Sequence, residues 1–168
     1  MKAQVIEKFG ETTEFKLVDL PLPEVIPNHV LIRVLATSVN PVDYKIRGGV
    51  VPDIAPNFPA ILHGDVAGVV EKVGKGVNNF QPGDEVYGCA GGIKGMGGAL
   101  ADYMLADAQL IAKKPKSLNM REAAALPLVS ITALEGLIQR AKICSGQTIL
   151  IYGGTGGVGH IGIQLAKY

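Results

Sequence analysis

The sequence predicts a mostly β barrel with short helices, followed by one strand–helix unit of an incomplete parallel sheet. Three observations carry that expectation. Short runs rich in β-branched residues recur from residue 2 to about residue 115. The 22 glycines and 10 prolines fall mainly between those runs, where turns are needed. Beyond residue 118 the pattern changes to helical segments, then to an apolar run that meets a glycine-rich turn. The division expected is therefore 1–118 for the barrel and 119–168 for linking helices and the start of a second domain.

Lys2–Ile6 and Phe15–Leu20 read as strands around the turn-rich Gly10–Thr13. Pro21, Pro23 and Pro27 then stop regular structure, because proline lacks a backbone donor. His29–Ser38 is a long strand carrying Val30, Ile32, Val34 and Thr37. Asn40-Pro41-Val42-Asp43 opens a short helical turn, with Pro41 suited to a first helical position. Val66–Val73 is a strand with Gly68 inside it, which signals a bulge or a close backbone approach. Pro82-Gly83 suits a type II turn leading into the strand Glu85–Tyr87. Ala101–Ala106 and Leu110–Lys113 complete the barrel. Asn119 or Ser117 is placed to cap a helix from about Met120, with Glu122 favourable in its first turn. A second helix is expected over Ser130–Ala141. After a turn at Ser145–Gln147, Thr148–Tyr152 has the composition of a buried parallel strand.

Bulk composition excludes several functions. With 168 residues, 48% hydrophobic and 18% charged, the chain can bury a core and does not read as disordered. A net charge of +1 gives no electrostatic case for nucleic acid or an anionic membrane. The one basic cluster, Lys113, Lys114 and Lys116 around Pro115, reads as a solvated turn. Cys89 and Cys144 lie far apart, so neither a disulfide framework nor a zinc knuckle is indicated. Met1–Gln4 leads into no apolar signal core, and Ala123–Ile138 is interrupted by Pro127, Ser130, Thr132 and Glu135. A cytoplasmic location and no membrane span are the expectation.

Gly154-Thr155-Gly156-Gly157-Val158-Gly159 fits G-x-G-x-x-G, between an expected strand and an expected helix. In that context Gly154 allows the tight turn, Gly156 lets backbone approach a pyrophosphate, and Gly159 lets helix and strand pack closely. The helix N-terminus supplies free N–H groups for phosphates. The residue that separates NAD from NADP lies ~20 residues beyond such a motif, and only nine residues follow Gly159. A single strand–helix unit cannot bury both faces of a dinucleotide fold. The chain is therefore expected to be about half of a larger protein.

Asn40–Gly49 resembles the N-P-V-D segment of zinc-independent quinone oxidoreductases of the medium-chain dehydrogenase/reductase superfamily. Pro59–Val70, Gln81–Gly88, Gly98–Tyr103 and Ala123–Pro127 continue the resemblance in order and spacing. It implies a GroES-like barrel followed by the start of a Rossmann domain. It also implies an oxidoreductase that moves a hydride from NADPH to a quinone or an α,β-unsaturated carbonyl. Zinc alcohol dehydrogenases carry Cys where this chain has Asn40, and Gly-His-Glu where it has His63-Gly64-Asp65. Two metal ligands are thus replaced, and no zinc is expected, since such chemistry needs three protein ligands.

The resemblance assigns Asn40, Tyr44 and Lys45 as catalytic candidates. Tyr44 would donate a hydrogen bond to the substrate carbonyl, Lys45 would act electrostatically, and Asn40 would bond substrate or cofactor. Asp43 would cap the short helix or orient Lys45. Thr132 matches a residue that contacts the nicotinamide, or else bonds back to its own helix. The cofactor set is Thr132, Gly154, Thr155, Gly156, Gly157, Val158 and Gly159. Two alternatives stay open: a zinc-type alcohol dehydrogenase, and a non-catalytic barrel module that oligomerises through exposed strand edges and apolar faces. A homo-oligomer is expected.

Overall fold

The structure, a computed structural model, describes all of residues 1–168. The chain divides into two compact units, Met1–Ala125 and Leu126–Tyr168.

The first unit is built from two antiparallel sheets. One has the order β2-β1-β4, from β1 (Lys2–Ile6), β2 (Lys16–Asp19) and β4 (Ala60–Ile61). The other has the order β7-β3-β5-β6-β8, from β3 (His29–Thr37), β5 (Asp65–Val73), β6 (Glu85–Cys89), β7 (Tyr103–Asp107) and β8 (Ile111–Lys113). A bridge between Ala3 and Ala101, and the Gln4 N–H donated to the Leu100 carbonyl at 2.8 Å, tie the first sheet to the chain entering β7. The larger sheet buries Val30, Ile32, Val66, Val70, Val86 and Met104. Ile6, Ala60 and Leu62 form a second cluster, into which α1 (Pro41–Arg47) inserts Ile46.

The β3–β5 pair is the spine of this unit, and it is irregular where the sequence carries glycine. The register shifts between Val34 and Ala36, beside Gly68. A Cβ at Gly68 would lie 2.2 Å from the Arg33 carbonyl oxygen. The close approach anticipated from the sequence is therefore present. The turn before β6 also forms: Gly83 has φ +93° and Asp84 N–H donates to the Gln81 carbonyl.

α2 (Met120–Ala124) is capped by Asn119, whose Oδ1 accepts the Glu122 N–H at 3.0 Å while Glu122 returns a bond to the Asn119 N–H. It packs Ala123 and Ala124 against Ala67 of β5, so this helix belongs to the body of the first unit. Lys114 departs from the solvated turn expected of it. Its side chain is only 5% exposed, pairs with Glu85 at 3.1 Å, and donates to the Pro115 and Leu118 carbonyls. The β8–α2 connection is pinned by that ammonium.

In the second unit, α3 (Pro127–Leu134) starts on Pro127 and passes into a π-helical stretch over Glu135–Arg140. The sequence led us to expect one α-helix over Ser130–Ala141. A larger correction concerns Thr148–Tyr152, expected as a buried parallel strand. It forms no ladder, and Leu150 and Tyr152 are 92% and 100% exposed. A strand needs a neighbour to take its backbone groups, and the described residues supply none. α4 (Gly157–Lys167) then runs back, packing against α3.

Candidate active site

Two regions hold the candidate residues, one in each unit. In the first, β3 ends at Thr37 and hands the chain to α1 through Ser38, Val39 and Asn40. The start of β5 lies alongside, with the Thr37 hydroxyl donating to the Asp65 carbonyl at 2.6 Å. Asp65 is completely buried. Its Oδ2 accepts from Ser38 Oγ at 2.9 Å and from Asn40 Nδ2 at 2.9 Å, and Asn40 Nδ2 also reaches Ser38 Oγ at 3.3 Å.

Asp43, one turn into α1, holds the backbone of the same residue. Its Oδ2 accepts the Asn40 N–H at 2.6 Å, in a buried contact. The Asp43 N–H goes to the Asn40 main-chain carbonyl at 2.9 Å, and the Asn40 side-chain NH₂ is turned to Asp65. The Asp43 carboxylate also accepts the backbone N–H groups of His63 and Gly64. One buried carboxylate thus clamps the start of α1 to the loop before β5.

The electrostatics follow from this burial. Asp43 is held above the ordinary carboxylate range by burial first; its N–H partners pull the other way, and the charge of Asp65 adds to the rise. Cys89 lies opposite Asp65 in the β5–β6 register and bonds its carboxylate. Burial, and then the charge of Asp65, push its thiol up to about 12. His63 is buried, and that burial lowers its pKa. It adopts φ +72° and its Nδ1 has no hydrogen-bond partner.

Of the candidates from the sequence, Asn40 lies inside this network and Tyr44 and Lys45 do not. Asp43 and Ile46 take the inward face of α1, at helical spacing, which leaves Tyr44 and Lys45 exposed. Tyr44 is 51% exposed, and neither side chain makes a hydrogen bond within the chain. Asp43 acts as a cap and does not touch Lys45, so the suggestion that it orients Lys45 is not met. Sequence reasoning missed Asp65, Ser38 and Cys89. A lone carboxylate opening an otherwise apolar strand, Asp65-Val66-Ala67, was the available signal.

In the second unit, the turn from Gly153 into α4 is shaped by glycine. Gly153 has φ +76° and its carbonyl accepts the Gly156 N–H at 2.9 Å. A Cβ at Gly159 would lie 2.2 Å from the Gly153 oxygen, and one at Gly154 would lie 2.8 Å from Ile163 Cδ1. Gly156 is the N-cap, so the N–H groups of Gly157, Val158 and Gly159 open the helix without an intrahelical acceptor. Thr155 is exposed beside them. Thr132, on α3, donates its hydroxyl to the Leu128 carbonyl at 2.7 Å, the back-bonded arrangement anticipated as one of its two roles.

Residues 26–116 match the alcohol dehydrogenase GroES-like domain family. The chain belongs to that family. It is 43% identical to 2-methylene-furan-3-one reductase of Solanum lycopersicum, over all of this chain and 44% of that protein. It is 41% identical to NADPH-dependent alkenal/one oxidoreductase, chloroplastic, of Arabidopsis thaliana, over all of this chain and 45% of that protein. Among solved structures, an alcohol dehydrogenase superfamily protein from Novosphingobium aromaticivorans superimposes with a TM-score of 0.94 at 46% identity, covering 99% of this chain and half of that one. The quinone oxidoreductase from Coxiella burnetii superimposes with a TM-score of 0.85 at 39% identity, over 99% of this chain and 53% of that one.

The fold of this GroES-like family member is therefore a mostly β barrel followed by the start of a Rossmann half, as expected from the sequence. The chain spans about half the length of the curated relatives it matches. No helix is long and apolar enough to cross a membrane. The Arabidopsis relative is chloroplastic by name, so the cytoplasmic expectation draws no support from it.

Proposed function

We propose that the protein is an NAD(P)H-dependent oxidoreductase that passes a hydride to a quinone or an α,β-unsaturated carbonyl without a catalytic metal. NADPH supplies the hydride when bound. The observation that carries the cofactor half is the turn into α4, where added Cβ atoms at Gly154 and Gly159 would collide and three helix N–H groups stand open. Such a turn receives a pyrophosphate on backbone donors and the positive end of the helix dipole. Thr155, Gly156, Gly157 and Val158 would line it, and Thr132 would lie toward the nicotinamide. NADPH is favoured over NADH because the Arabidopsis relative is an NADPH-dependent alkenal/one oxidoreductase.

The substrate half rests on α1. Tyr44 keeps its hydroxyl unused and exposed, ready to donate to a substrate carbonyl as negative charge develops there. Lys45 adds positive charge one residue on, and Asn40 sits where zinc relatives carry a Cys ligand. The donor set argues against zinc. Gly64 stands in a second ligand position, and no three His, Cys, Asp or Glu side chains converge in a way that could hold a metal ion.

A second reading, a barrel module that binds no cofactor by itself, is favoured by one observation. The apolar run Thr148–Tyr152 lies unpaired beside an open groove of about 300 Å³ lined by Ile149, Ile151 and Ile163. A fluorescence titration of the purified chain with NADPH, and with NADH alongside, separates the two. Saturable binding with a preference for NADPH supports the oxidoreductase and calls for turnover assays with enones and quinones. A flat titration favours the module.

A further inference from the structure

β7 closes one end of its sheet, with β3 as its one strand neighbour. Which of its backbone groups face outward follows from the ladder. The Val34 N–H donates to the Asp102 carbonyl at 2.9 Å, and the Ala108 N–H donates to the Asn28 carbonyl at 3.0 Å. Between those two bonds the register pairs Ile32 with Met104 and Val30 with Ala106. Antiparallel ladder bonds fall on alternate residues, so Met104 and Ala106 turn their backbone groups to β3. Tyr103, Leu105 and Asp107 turn theirs away. No acceptor in the chain takes their N–H groups, and of their carbonyls only that of Asp107 is used, by the Leu110 N–H at 3.0 Å. This free edge borders a groove of about 260 Å³, which Pro23, Ile26 and Met96 also line. The other sheet edges are protected. β2 carries Lys16 and Asp19 in ion pairs, β8 carries Lys113 paired with Asp84, and β4 is two residues long.

We propose that this edge takes an extended segment of another protein as a sixth strand, with a Lys or Arg of that segment set against Asp107. Main-chain bonds to Tyr103, Leu105 and Asp107 hold the segment, and the groove selects its side chains. The charge requirement comes from the lining. Asp107 is its one carboxylate, no Lys or Arg lines the groove, and Asp107 forms no ion pair; its Oδ1 takes only the Gln109 N–H. His29 faces Asp107 across the ladder, and the His29 Nδ1 bonds the Pro27 carbonyl at 2.9 Å. A carbonyl only accepts, so Nδ1 carries the hydrogen and the Nε2 of the neutral ring is left as an acceptor. Two acceptors thus meet at one end of the groove and call for a cationic donor. A second copy of this chain is the poorer occupant. β7 has five residues, about 17 Å at ~3.4 Å per residue, and self-pairing along it falls well short of the roughly 1,200 Å² that a stable interface buries. Pairing centred on Leu105 would also set Tyr103, and no cation, against Asp107.

The edge is tested first in the protein alone, by amide hydrogen exchange followed by NMR. The Met104 and Ala106 N–H groups should exchange slowly and those of Tyr103 and Leu105 fast; four slow amides mean that the edge is already covered, and the proposal falls. Binding is tested by displaying random linear peptides against the immobilised chain. Enriched sequences should alternate β-branched residues and carry a Lys or Arg, and the synthetic form of one should slow the Tyr103 and Leu105 amides. Leu105→Pro removes an outward donor without cutting the ladder to β3 and should weaken that peptide about tenfold or more. Asp107→Asn leaves the backbone untouched, keeps an acceptor for Gln109, and should weaken it about two- to fivefold, the worth of an exposed ion pair. Failure to enrich any peptide, enriched peptides without a basic residue, or a bound peptide that leaves the Tyr103 and Leu105 amides fast each overturn the proposal. A wild-type dimer that Leu105→Pro converts to a monomer also overturns it, because the edge then belongs to a second copy.

Discussion

Removing Asp43 should unlock α1. Its carboxylate collects the backbone N–H groups of Asn40, His63 and Gly64, and it is only 3% exposed. Asp43→Ala leaves three donors without an acceptor, at about 1–3 kcal/mol each where water cannot reach them. The same change relieves a buried charge next to Asp65, which offsets part of the loss. A net cost of about 2–4 kcal/mol follows. For a unit of this size that lowers Tm by roughly 10 °C. Asp43→Asn keeps one acceptor oxygen and should cost less than Asp43→Ala. The pH dependence has a definite sign. The folded pKa of Asp43 is raised, so the folded state binds more protons than the unfolded one between 3.8 and that raised value. Wild type therefore gains stability from this group as pH falls through the window, and neither variant does. The gap between wild type and variant should widen on acidification toward 3.8. Urea unfolding of all three proteins at several pH values between 4.5 and 7.5 measures it. An Ala variant within 0.5 kcal/mol (about the size of a surface change) at neutral pH, or a gap that narrows on acidification, would refute the clamp.

The two cysteines should differ sharply in reactivity. Cys144 is exposed, whereas the Cys89 thiol is pushed up to about 12. At pH 8 only about one Cys89 in ten thousand is thiolate, so a disulfide reagent should modify one thiol promptly in the native protein and the second only on unfolding. Prompt release of two equivalents would contradict the buried Asp65–Cys89 contact. In the second unit, Gly159→Ala puts a Cβ 2.2 Å from the Gly153 oxygen, so the turn must open. NADPH affinity should drop more than tenfold, a loss of over about 1.4 kcal/mol, while the urea midpoint of the first unit stays put; an unchanged titration would remove this turn from the cofactor site.

What the sequence made legible was local. β3 and β5 stood out through their β-branched residues, the turn before β6 through Pro82-Gly83, and the α2 cap through Asn119 and Glu122, because each depends on neighbours a few residues away. Gly68 announced a close approach because only glycine leaves room for the Arg33 carbonyl. The misses share the opposite cause. Thr148–Tyr152 has strand composition, yet strand structure is a property of a ladder, and no neighbouring strand is present to make one. Lys114 reads as one more solvated lysine until Glu85, 29 positions earlier, is brought to it. The site shows the same division. Asn40 was picked out by its place in a motif, but the orientation of its amide depends on Asp65, 25 positions away. Considered alone, an asparagine offers both a donor and an acceptor, and the sequence leaves that choice open. It is closed only when β5 is laid beside the end of β3, with a buried carboxylate in front of the amide. In this chain, therefore, an isolated candidate residue does not have a fixed role; its orientation is set by a partner that no local pattern reveals.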